Sequence, residues 1–184
     1  MRAVLLGFIV AGFIALAPVG TTAQADAPTR AYKIKAAFVL DFVRQVQWPR
    51  EIGPVARLCT VGTDPFGDAW SAIADQRIQG RPLQIERDVA PERVVDCMIV
   101  AIGNLSEGEA EELSKAVNGS PVLTVADDAT PAHVNAILRL KSIDNRLHFD
   151  LDMPEAQRRG LLIAEQLREL ADSVNGSSTD VDTQ

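Results

Sequence analysis

Three short runs rich in apolar residues, Arg57 to Val61, Cys97 to Ile102 and Val122 to Ala126, are separated by segments patterned as helices. A run that is apolar on successive residues reads as a strand buried on both faces of a sheet. Between the first two, Asp64 stands where a helix cap belongs and Pro65 at the first helical position, which predicts a helix over Phe66 to Ala74. Between the last two, Ser106 and Glu109 have capping-box spacing ahead of Ala110, Leu113 and Val117, and Asn118-Gly119 ends that helix. Strand, helix, strand, helix, strand implies parallel pairing with helices on the faces of one sheet.

The flanking segments extend this frame. Thr29 to Trp48 carries Tyr32, Ala36, Val39, Val43 and Val46 at helical spacing, and Trp48-Pro49 ends it because proline disfavours helix in the residue before it. Pro82 to Arg87 alternates Leu83 and Ile85 with polar neighbours, as a rim strand does. His133 to Lys141 and Arg146 to Leu151 read as two strands joined across residues 142–145 in a β-hairpin. Pro154 to Gln157 and Leu161 to Leu170 are helical in pattern and broken at Gly160. From Asp172 the chain turns to Ser, Asn, Gly, Thr and Asp, the composition of a disordered tail. The expected fold class is α/β: a three-layer sandwich with a mixed, mostly parallel sheet, helices on both faces and a C-terminal antiparallel hairpin.

The N-terminus sets the compartment. Met1 and Arg2 precede an apolar run from Ala3 to Ala17, Pro18 and Gly20 end that run, and Ala23-Gln24-Ala25 follows. This is the layout of a secretory signal peptide cleaved after Ala25. The run is shorter than the roughly 20 residues a spanning helix needs. The expected organisation is a signal peptide over 1–25, one α/β domain over 26–173 and a disordered tail over 174–184, with the mature protein in the periplasm. A formal net charge of −7 disfavours a nucleic-acid backbone as partner and unaided adhesion to an anionic membrane.

Export bears on the two cysteines, Cys59 and Cys97. An even count in an oxidising compartment favours a disulfide that closes a long loop and contributes about 2–4 kcal/mol, with two buried free thiols as the alternative. Each lies at or near the start of a predicted strand, and neighbouring parallel strands would bring them together. No Cys-x-x-Cys motif or flanking cation marks a lowered thiol pKa, so the bond reads as structural.

The turn Thr60 to Asp64 raises the question of a phosphate. It has neither the Gly-x-Gly-x-x-Gly fingerprint nor the Gly-Lys-Ser/Thr of a P-loop, and Asp64 would put a negative charge where the anion belongs. A strand-to-helix turn is the simpler reading. Because open α/β sheets bind ligands at the carboxyl ends of their strands, Thr63, Asp64 and Phe66 remain candidates for ligand or partner contacts. Elsewhere chemistry is sparse. His133 and His148 fall in the predicted hairpin, where alternation accounts for them, and there is no Gly-x-Ser-x-Gly elbow or His-Glu-x-x-His pair. Asp127-Asp128 reads as the opening of a short helical turn rather than a metal pair, Trp48 and Trp70 as packing residues, and Arg158-Arg159 as a solvated helix end. No catalytic, cofactor or metal residues are expected, and an enzyme is disfavoured.

Six segments in order carry a resemblance: "AYKIKAAFVLDFVRQVQWP", "LCTVGTDPFGDAW", "IQGRPLQIER", "VVDCMIVAIG", "GSPVLTVAD" and "NRLHFDLDMPEAQRRGLLIAEQLRELA". Together they resemble the YfiR-like family of exported bacterial proteins, from Tyr32 to Ala171. The resemblance implies a non-catalytic α/β domain in which Cys59 and Cys97 match the family's cysteines. It implies a repressor that binds the periplasmic part of an inner-membrane diguanylate cyclase and lowers cyclic-di-GMP and biofilm formation. Other members are expected to accompany other membrane receptors or sensor kinases. The chain departs from the family pattern at "AHVNAILRL" and at Ile163-Ala164-Glu165-Gln166, which bears on partner identity. The competing reading is a periplasmic small-molecule binding module using the surroundings of Thr63 and Asp64. A symmetric homodimer is the default assembly for such a domain.

Overall fold

Helix α1 (Asp26–Arg44) opens the structure, a computed structural model that describes residues 26–49 and 53–175. The predicted signal peptide and the tail beyond Asn175 lie outside the described residues. Strands follow as β1 (Val46–Gln47), β2 (Ala56–Val61), β3 (Arg77–Ile78), β4 (Arg81–Glu86), β5 (Ile99–Ile102), β6 (Leu123–Ala126), β7 (Leu138–Ile143), β8 (Arg146–Asp152), β9 (Leu162–Ile163) and β10 (Ser173–Asn175). Helix α2 (Glu107–Val117) lies between β5 and β6, and α3 (Met153–Arg158) and α4 (Glu165–Leu170) flank β9.

Eight strands form one sheet in the order β10-β8-β7-β6-β5-β2-β4-β3, and β1 pairs with β9 in a separate two-stranded sheet. The run from β7 through β6, β5 and β2 to β4 is parallel, and β8 returns antiparallel to β7. Register places Leu58 beside Ile99 and Ile99 beside Leu123, so one row of large side chains crosses the sheet. Strand alternation then splits the core in two. Leu58, Ile99, Leu123, Leu138 and Leu140 share a cluster with Val39, Phe42 and Val43 of α1 and with Ala156 and Leu167. Cys59, Val61, Val100 and Ile102 join Leu113 and Val117 of α2 on the other side. Helices therefore lie on both faces, and the three-layer mixed α/β reading holds.

Cys59 and Cys97 form the disulfide, with their Cα atoms 6.0 Å apart and a separation of 38 positions in sequence. The hairpin turn falls at Asp144 and Asn145, both with positive φ (50° and 59°). Two left-handed residues in succession match the strand twist, and Asn and Asp tolerate that conformation best among non-glycines.

Several boundaries differ from the sequence reading. The first helix stops at Arg44, because Val46 and Gln47 pair with Ile163 and Leu162. The segment after Pro65 is a 3₁₀ helix, Gly67–Ile73, not an α-helix. Residues 133–137 are irregular, and β7 begins only at Leu138. Leu161 to Leu170 divides into β9 and α4 because Leu162 and Ile163 are recruited by β1. Ser173–Asn175, read as tail, pairs in parallel with Asp150–Asp152 and so completes an edge of the sheet. Arg159, read as solvated, is only 5% exposed, because its guanidinium turns inward to Glu155 and to the Val122 carbonyl.

Candidate functional site

The carboxyl ends of β2, β5 and β6 share one edge of the sheet, where α/β folds gather ligands. Between β2 and β5 the chain closes this edge on itself. Thr63 N–H donates to the Asn104 carbonyl at 3.3 Å, and Asn104 N–H donates back to Thr63 at 3.1 Å. Two glycines permit the approach. Gly62 has φ +73°, and a Cβ on Gly103 would lie 2.0 Å from the Thr63 carbonyl oxygen. The crevice beside the turn is thus filled by backbone.

Asp64 and Phe66 are likewise engaged within the chain. One Asp64 oxygen accepts from Phe66 N–H at 3.0 Å and the other from Trp70 Nε1–H at 2.9 Å. The carboxylate braces the turn instead of capping the 3₁₀ helix, whose N-cap residue is Phe66 and has no side-chain cap. Burial pushes the Asp64 carboxyl above its ordinary value, against the lowering effect of those hydrogen bonds and of Arg87 at 3.8 Å. Phe66 stacks on the fully buried Trp70 at 4.3 Å between centroids and meets the Tyr32 ring at 5.2 Å. Thr63 alone of the three candidates is exposed.

Tyr32 leads to a group that sequence reasoning missed. Lys35, on α1, reaches into the end of β6, where its Nζ lies 3.0 Å from Asp127 Oδ2 and 3.2 Å from Asp128 Oδ2. Its side chain is 6% exposed, Asp127 is fully buried and Asp128 is half-exposed. The ammonium also lies 5.1 Å from the centre of the Tyr32 ring. Asp127 is fixed from several directions: its Oδ1 accepts from Ala129 N–H at 2.9 Å, and its own N–H donates to Thr130 Oγ1 at 3.1 Å. Asp128 Oδ2 accepts from Ser142 N–H in β7 at 2.8 Å. Burial first, and then the Asp127 carboxylate, push the Tyr32 hydroxyl up to about 12. The signal in the sequence was the spacing of Lys35, three residues after Tyr32 and four before Val39, inside the apolar stripe of α1.

Chemically, this edge is a set of satisfied charges. Asp127-Asp128 forms a turn whose carboxylates neutralise a buried lysine, and among the described residues no group of three or more His, Cys, Asp or Glu could hold a metal ion. His133 is exposed and its Nε2 lies 3.2 Å from the Leu105 carbonyl, while His148 lies in β8 with Nδ1 2.9 Å from Asp172. Trp48 donates its Nε1–H to the Pro121 carbonyl at 2.9 Å. The cysteines stand apart from this edge, with Cys97 just before β5. Among the described residues no helix is long and apolar enough to cross a membrane.

The YfiR/HmsC-like family matches this chain over residues 32–172, a span that runs from Tyr32 in the buried cluster, through both cysteines, to Asp172 at the entry to β10. With most of its length matched, this α/β protein belongs to the YfiR/HmsC-like family.

Proposed function

We propose that the protein is an exported, non-catalytic regulator that acts in the periplasm by binding the periplasmic part of an inner-membrane signalling protein. The preferred target is a diguanylate cyclase, held in its inactive arrangement so that cyclic-di-GMP falls. The observation that carries this reading is family membership over residues 32–172. The sheet's carboxyl edge agrees with it: the side chains there are spent on holding α1 and the turn after β2, which suits a rigid binding domain better than a reaction centre. On this reading the partner meets exposed apolar side chains beside that edge. Ile34 on α1 is 53% exposed and Ile143 at the hairpin tip 45%.

Mechanistically, the protein need only bind one state of the enzyme more tightly than the other. Moving a two-state equilibrium from mostly active to mostly inactive takes a differential affinity of about 10⁴-fold, or about 5.5 kcal/mol.

The test is cellular cyclic-di-GMP in the native host with the gene deleted and then restored. A rise on deletion, reversed by the intact gene and not by Ile34→Asp/Ile143→Asp, is the expected result. Unchanged cyclic-di-GMP on deletion rejects a cyclase as the target.

A further inference from the structure

Helix α1 packs inward through Val39, Phe42 and Val43, and its Phe38 meets the Phe149 ring of β8 at 5.1 Å. Its outward side is a different surface. Arg30, Lys33, Ile34 and Ala37 are all exposed, and their i, i+3, i+4, i+7 spacing puts them on one face of the helix. Ile34 and Ala37 form an apolar centre with the half-buried Phe38 beside it, and Arg30 and Lys33 stand at its N-terminal end.

Among the described residues neither Arg30 nor Lys33 makes an ion pair or a side-chain hydrogen bond, whereas Lys35, on the inward side, is held by Asp127 and Asp128. Asp26, which opens the helix, offsets one of the two charges at most. From Ala27 to Leu40 the helix has no acidic residue, and the next, Asp41, is bonded to Arg44 at 3.1 Å. At about 1.5 Å of rise per residue, Asp41 stands roughly 12 Å from Lys33, beyond a Debye length of about 8 Å at physiological salt. Asp128, half-exposed at the end of β6, is engaged by Lys35 and by Ser142 N–H. A chain of net charge −7 therefore turns a positive, partly apolar face outward here. Two exposed cations fall short of the roughly four to eight that hold a protein to anionic lipid, so the chemistry favours a protein surface.

We infer that the outward face of α1 docks an acidic, amphipathic helix of the partner, which packs an apolar side chain on Ile34 and Ala37 and sets carboxylates against Arg30 and Lys33. The inference rests on the partner reading above for who supplies that helix, while the chemistry of the surface is tested without it. Ala37 gives the incoming helix room to approach, and the cations, confined to one end of the face, fix its direction.

The probe is a synthetic helical peptide of about 16 residues, roughly four turns, with leucine on one face and glutamate on the other, and a version with lysine in place of glutamate is its charge reversal. Fluorescence anisotropy with the full mature chain at about 0.15 M salt gives the affinities, and methyl NMR of Ile34 gives the place. Saturable binding of the glutamate peptide with shifts at Ile34 is expected, with the lysine peptide weaker by about tenfold or more. Arg30→Glu/Lys33→Glu, at exposed positions where the melting temperature should hold, should reverse that preference, and Ile34→Asp should weaken the glutamate peptide by about tenfold. No saturable binding of the glutamate peptide, equal binding of both peptides, or an unchanged preference in the charge-reversed variant would each overturn the proposal. So would shifts that leave Ile34 untouched, or phosphatidylglycerol vesicles that displace the peptide. A failed peptide result leaves the cyclic-di-GMP test standing, and unchanged cyclic-di-GMP on deletion leaves the surface standing, so the two readings fail separately.

Discussion

Lys35 and Asp127, 92 residues apart in sequence, meet at 3.0 Å where neither side chain is more than 6% exposed. The pair pins the first helix to the end of β6 across the edge of the sheet. Breaking a buried pair by removing one partner strands the other charge, at a cost of about 3–5 kcal/mol. Lys35→Met should therefore destabilise the domain by about that amount in urea unfolding. Lys35→Met/Asp127→Asn, which removes both charges, should recover much of the loss. Asp128→Asn, at a half-exposed position, should cost under about 1 kcal/mol. Equal losses for Asp127→Asn and Asp128→Asn would contradict this division.

Tyr32 is the sole tyrosine of the chain, so its ionisation can be followed directly by ultraviolet absorbance. The folded hydroxyl is raised to about 12 from the ordinary 10.0. A group raised in the folded state contributes stability that is fully present below pH 10 and is lost as pH climbs toward 12. Absorbance should therefore show no tyrosinate until well above pH 10, and Tyr32→Phe should flatten the alkaline fall in stability. A midpoint near 10 in the folded protein would remove burial as the controlling influence.

The disulfide joins cysteines 38 positions apart in sequence, and constraint of the unfolded chain by a loop of that length contributes about 2–4 kcal/mol. Cys59→Ser/Cys97→Ser should lose that much, and reduction of the wild type should lose it equally. A double variant as stable as the oxidised protein would show that packing alone sets the geometry.

Gly103 and Gly108 offer a matched contrast. A methyl group on Gly103 meets the Thr63 carbonyl oxygen at 2.0 Å, whereas on Gly108, in α2, it meets nothing within 4 Å. Gly103→Ala should unfold at distinctly lower urea, with the Thr63–Asn104 bridge broken. Gly108→Ala should gain up to about 1 kcal/mol from helix propensity. Chemical denaturation of the two variants side by side settles the comparison.

Much of this architecture is legible in local pattern. The apolar runs at Cys97 to Ile102 and Val122 to Ala126 contain β5 and β6, and the Ser106/Glu109 box is formed, with Ser106 N–H donating to Glu109 at 2.9 Å. Where a partner distant in sequence decides, pattern falls short. Val46 and Gln47 continue the helical stripe and yet leave the helix, because β9 supplies an antiparallel neighbour. Ser173–Asn175 has the composition of a tail and becomes a strand because β8 has an open edge. Arg159 beside Arg158 looks solvated until the Val122 carbonyl and Glu155 draw it inward. The Lys35 site is the instructive miss: a lysine in an apolar stripe announces burial, but its acidic partners come from the far half of the chain.

The pairing of β1 with β9 also governs the order in which the molecule can be completed. Residues at the end of the first helix find their strand partners only after Leu162 and Ile163 have emerged, and the last edge of the sheet waits for Ser173–Asn175. Contacts this far apart in sequence slow folding, because the connecting chain must be ordered before they form. A chain interrupted before Leu161 would lack Leu161, Ile163 and Leu167 from the cluster that α1 shares with the sheet, leaving that cluster open on one side, and truncation there should yield aggregation in place of a smaller folded domain.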